Sequence, residues 1–73
     1  MALTKEEVKE LANYFYKKKK LAHIKLKPTG HIDGYIVSNL IDDAIYNVNT
    51  IDGKPKEIFI VKIYDIKDYE DRL

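Results

Sequence analysis

With 73 residues, no cysteine, and 13 basic side chains against 12 acidic ones for a net charge of +1, the chain has room for one small core and no disulfide to brace it. A chain this short buries only about 60% of the surface it exposes when unfolded, and with His23 and His31 as its only histidines, self-association is the expected source of further stability. No apolar run approaches the roughly 20 residues of a membrane span, the acidic, helix-like start lacks the pattern of a signal peptide, and the lack of cysteine fits a reducing compartment, so a cytosolic protein with no membrane partner is expected.

Thr4 and Glu7 have the spacing of a capping box, with Leu3 and Val8 at the positions of a hydrophobic staple. Val8, Leu11, Ala12 and Phe15 follow at helical period and predict an amphipathic helix over about residues 5–18. Lys17, Lys18, Lys19 and Lys20 lie at its end, where cations offset the macrodipole.

From Leu21 the period becomes two, which predicts a strand with Ile24 and Leu26 inward and His23, Lys25 and Lys27 outward. Pro28, Thr29 and Gly30 mark a turn, after which Ile32, Gly34 and Ile36 share a face, the glycine implying a bend or a close backbone approach. A break at Asp42 and Asp43, where Asp suits turns, precedes a third strand at residues 44–48. Asp52, Gly53, Lys54 and Pro55 then turn into the most apolar stretch, residues 58–66. Its first residues are apolar on both faces, so one side is expected to be covered by the rest of the fold or by another subunit.

The basic run, with Lys25 on the first strand and Tyr14 and Tyr16 nearby, has the chemistry to hold phosphates and stack bases; a solvated helix end explains the same lysines. Tyr64 with Lys62 beside it, and Asn47, have groups suited to a base and its phosphate, and a tyrosine that only braces its loop is the alternative. Tyr46 and Tyr69 fit a core or an interface. His31 and Asp33 share a strand face with His23 as a conceivable third ligand, but surface polar residues explain this equally, and no metal or other cofactor is expected. No nucleophile has an evident base and orienting partner, and no glycine-rich phosphate loop is present among the three glycines, so no enzyme is expected.

One helix and about five short strands with a bent second strand outline an SH3-like or OB-like small barrel. The inward Ile24 and Leu26, the turn at Thr29 and Gly30, and Ile32, Gly34 and Ile36 spaced by two resemble the first signature of the Sm-like family, in particular its Hfq branch with archaeal relatives. A second signature is matched by Lys62 and Ile66, with Tyr64 where the branch has a histidine, Ile63 where it has a lysine and Ala44 at the position of its uracil-stacking aromatic.

The resemblance implies one Sm-like domain over residues 1–73: mostly β, an N-terminal α-helix and a strongly bent five-stranded small barrel. It also implies a cyclic homo-oligomer of six or seven copies that binds single-stranded U-rich or A-rich RNA and acts as an RNA chaperone. Candidate RNA-binding residues are Asn13, Tyr16, Lys17, Lys18, Lys19, Lys20, Lys25, Lys62 and Tyr64. Subunits would pair through Ile58, Phe59, Ile60 and Val61 of one and the last strand, around Ile66 and Tyr69, of the next. The alternative is a small barrel for protein contacts or assembly without nucleic acid.

Overall fold

The computed structural model describes residues 3–71. Helix α1 spans Lys5–Lys18, the predicted bounds. Its capping box is complete: Glu7 N donates to Thr4 Oγ1 at 3.2 Å and Thr4 N to Glu7 Oε1 at 2.9 Å. At the other end Lys19 N donates to Tyr16 O and Lys20 N to Phe15 O, a Schellman closure that holds Lys19 in the left-handed region with φ 53°.

Five antiparallel strands follow: β1 Leu21–Leu26, β2 His31–Ile36, β3 Ile45–Thr50, β4 Pro55–Phe59 and β5 Ile63–Asp68. They form one sheet in the order β4-β3-β2-β1-β5, so β4 and β5 are its edges. Val8, Ala12 and Phe15 of α1 are buried, and the helix lies against β2 and β5. There its stripe meets Ile24, Ile36, Ile63 and Ile66 in a core that also takes in Tyr46, Val48, Ile58 and Ile60. Ahead of the helix, Leu3 packs on that core and its amide donates to Tyr64 O.

Gly34 is the close approach expected on the second strand. It faces Thr50 across the β2–β3 ladder, and a Cβ there would stand 2.3 Å from the Asn49 carbonyl oxygen. After β2, Ile41 pairs with Ile45 around Asp42 and Asp43, which hold φ values of 52° and 57°; short polar side chains tolerate this region best. Ala44 N donates to Ile41 O within this turn, so the third strand starts at Ile45, one residue later than expected.

Two expectations need correction. The fourth strand, expected to run from Ile58 to Val61, stops short: β4 ends at Phe59, a 3₁₀ turn occupies Ile60–Lys62, and the last strand β5 begins at Ile63. The turn resets which face the side chains take. Ile58, Ile60, Ile63 and Ile66 are therefore all buried, while Phe59 and Val61 remain 53% and 67% exposed. A run read at constant period two from Ile58 puts Ile63 on the wrong side.

His23, expected outward, is 7% exposed. It is on the face opposite Ala22 and Ile24, as the alternation requires, but β1 has a neighbour on each side, with Asp33 of β2 and Lys67 of β5 directly across from it. Asp33 bonds the imidazole and the His31 ring packs on it with centroids 4.9 Å apart. Alternation assigns a face and says nothing of how crowded that face is.

Candidate nucleic-acid interface

The end of α1 carries the largest group of candidate residues. Lys17, Lys18 and Lys19 are exposed and make no ion pair among the described residues. Lys20 differs from them. Its Nζ is 2.7 Å from Asp68 Oδ2 at the end of β5 and 5.8 Å from the centre of the Tyr14 ring. The Asp68 carboxylate holds the Lys20 ammonium above its ordinary pKa, and Asp68 is held below the usual carboxylate range by that bond and by the Glu70 amide. Lys20 is thus a brace between the helix end and β5, leaving three lysines of the run for a ligand.

Lys19 is on the rim of a cleft of about 390 Å³ that is lined also by Tyr16, Tyr35, Ile36, Val37 and Asn49. Tyr16 is half-buried and Tyr35 is 44% exposed, so two phenol rings line a cavity whose rim carries Lys19. Aromatic faces beside a cationic rim are the parts from which single-strand binding sites are made. Tyr35 and Asn49 were not among the sequence candidates. The available signal was the β2 alternation, which places Tyr35 outward next to Gly34; nothing local shows that the helix end comes to lie beside it. Asn13 is exposed on the helix but does not line this cleft.

Lys25, Lys62 and Tyr64 gather elsewhere. Lys25 and Tyr64 line an open cleft of about 450 Å³ with His23, Leu26, Thr29 and His31, and Lys62 is next to it, its carbonyl accepting from Lys27 N. This second group lies at the far end of β1, about 20 Å from the first for a six-residue strand. The candidates therefore form two surfaces. Asn47 joins neither: its amide donates to Ser38 Oγ at 3.0 Å, and it borders a third cleft with Val37, Asn49 and Lys56.

Of the candidate interface residues, Ile58, Ile60 and Ile66 have their side chains in the core and offer a neighbour only backbone. Phe59 and Val61 present apolar surface at the β4 end of the sheet. Tyr69 is half-buried in the 3₁₀ turn Tyr69–Asp71 that follows β5. No helix among the described residues is long and apolar enough to cross a membrane.

No family model matches the chain, and no curated protein matches it. Among solved structures it is similar to the crystal structure of the pleiotropic translational regulator Hfq, with a TM-score of 0.67 at 16% identity over 80% of this chain and 92% of that one. At that identity the likeness concerns the fold: an N-terminal helix on a bent five-stranded antiparallel sheet of the Sm type.

Proposed function

We propose, from an Sm fold of the Hfq kind, that this chain assembles into a closed ring and binds single-stranded RNA along the helix-end surface, bringing RNAs together without chemistry of its own. The observation that carries this reading is the placement of Lys19 on the rim of the cleft between Tyr16 and Tyr35, at the end of a run in which Lys17, Lys18 and Lys19 are exposed and make no ion pair among the described residues. Phosphate contacts from the lysines would supply affinity and its salt dependence, and the rings would accept bases by stacking without strong sequence preference. Lys25, Lys62 and Tyr64 form a second, smaller surface for the same strand or another. Ring closure is supported by the two sheet edges that have no partner strand and by the exposed Phe59 and Val61, since backbone pairing of β4 with a neighbour's β5 would remove both edges.

The test is titration with oligo-U and oligo-A at two salt concentrations, with the mass of the assembly measured by light scattering. Changing Lys17, Lys18 and Lys19 together to Ala should weaken binding and reduce the slope of log affinity against log salt by up to about 2. Tyr35→Ala should weaken binding with the slope kept. A ring that ignores both oligomers would discard the RNA role and leave an assembly module; RNA affinity unchanged in the lysine variant would remove the helix-end surface from the account.

A further inference from the structure

The cleft at the far end of β1 holds a second kind of chemistry that RNA binding does not use. His31 and Asp33 are two residues apart on β2 and so share a face, and the β1–β2 register places His23 directly opposite Asp33. The Asp33 carboxylate is divided between two imidazoles. Its Oδ1 accepts from His23 Nδ1, and its Oδ2 lies 3.6 Å from His31 Nε2. The two rings are tilted by 38° with centroids 4.9 Å apart. His23 is the buried polar side chain among the described residues, and Asp33 is mostly covered too, while His31 is exposed at the cleft.

From this juxtaposition we propose that His23, His31 and Asp33 form a binding site for a divalent first-row transition metal, with zinc as the fitting ion. One ligand atom from each residue lies within 4.8 Å of the other two. A tetrahedral ion with bonds of about 2.0–2.2 Å sets its ligand atoms roughly 3.3–3.5 Å apart, so a modest rotation of the exposed His31 and a slight opening of the His23–Asp33 contact bring all three to one centre. Two imidazoles and a carboxylate are a donor set suited to zinc. The ligands come from adjacent, hydrogen-bonded strands, so backbone pairing and not a flexible loop sets their spacing. The open side of the cleft leaves the fourth position to water.

The neighbouring charges set limits on affinity. Lys25 is across from His31 and Lys67 across from His23, and both oppose a dication; Asp65, opposite Lys25 on β5, offsets one of them. Binding of moderate strength follows, with the ion acting as a clip between β1 and β2.

The experiment titrates Zn²⁺ into the full chain against a chromogenic chelator, with Co²⁺ in parallel as a spectroscopic probe. One Zn²⁺ per chain is expected, with a Co²⁺ spectrum of nitrogen and oxygen ligation. His31→Gln, at an exposed position, should keep the far-UV CD spectrum and weaken Zn²⁺ binding by at least about tenfold. Asp33→Asn should do the same and also lower the rise in melting temperature that Zn²⁺ produces. No binding by the unchanged chain, or equal affinity in the folded His31→Gln variant, would overturn the site. RNA affinity and assembly mass are read separately, so failure of the ring or of RNA binding leaves this outcome interpretable.

Discussion

Adding one methyl group at Gly34 would drive a carbon to 2.3 Å from the Asn49 carbonyl oxygen, and because that oxygen belongs to the β3 backbone, relief requires β2 and β3 to separate. Gly34→Ala is therefore expected to destabilise the fold by about 1–3 kcal/mol, the usual cost of overpacking, measured as a lower midpoint in urea. Lys19 is the reverse case. It holds the left-handed conformation that closes α1, where a Cβ is a burden that glycine lacks. Lys19→Gly should stabilise the chain by about 0.5–1 kcal/mol while weakening RNA binding, a pair of opposite effects that loss of structure cannot produce. Gly34 was legible in the sequence as a glycine inside an alternating strand. The strain at Lys19 was hidden by a run of four identical residues, which does not reveal where the helix stops.

At the scale of elements, the helix is tied to the sheet by salt links whose pH dependence has a definite sign. Lys5 and Lys9 reach Asp43 at 2.9 and 3.3 Å and hold its carboxyl below the usual range, as Lys20 does for Asp68. A depressed carboxylate contributes stability above its unfolded pKa and loses it as pH falls through the folded value. Thermal stability should thus decline as the pH falls below about 5. Asp68→Asn should be less stable near neutrality and show a shallower decline over that range; an unchanged slope would mean that the Lys20 link contributes nothing. The raised lysines act at the other extreme, where their contribution is lost as pH rises through their folded values. These links are exposed, and surface pairs of this kind are worth little singly, so burial of Val8, Ala12 and Phe15 does most of the docking.

For the whole molecule, the edges decide. A sheet that ends in β4 and β5 with Phe59 and Val61 exposed invites pairing with another copy. Phe59→Lys combined with Val61→Lys should reduce the assembly mass seen by light scattering while the CD spectrum is kept, because neither side chain supports the core. An unchanged mass would move the subunit contact elsewhere.

The sequence by itself determined the capped start of the helix and its apolar stripe, the change of period at Leu21 and the glycine on the second strand, because capping and periodicity are local and act within a few residues. Only the tertiary structure decided that Lys20 is a brace, that Tyr35 joins the helix-end cleft, that the 3₁₀ turn brings Ile63 inward, and that His23 is closed in beside Asp33 and His31. Each of these depends on which strands become neighbours. Residues 8 to 48 positions apart in the chain meet in those contacts, and no local pattern encodes such a meeting.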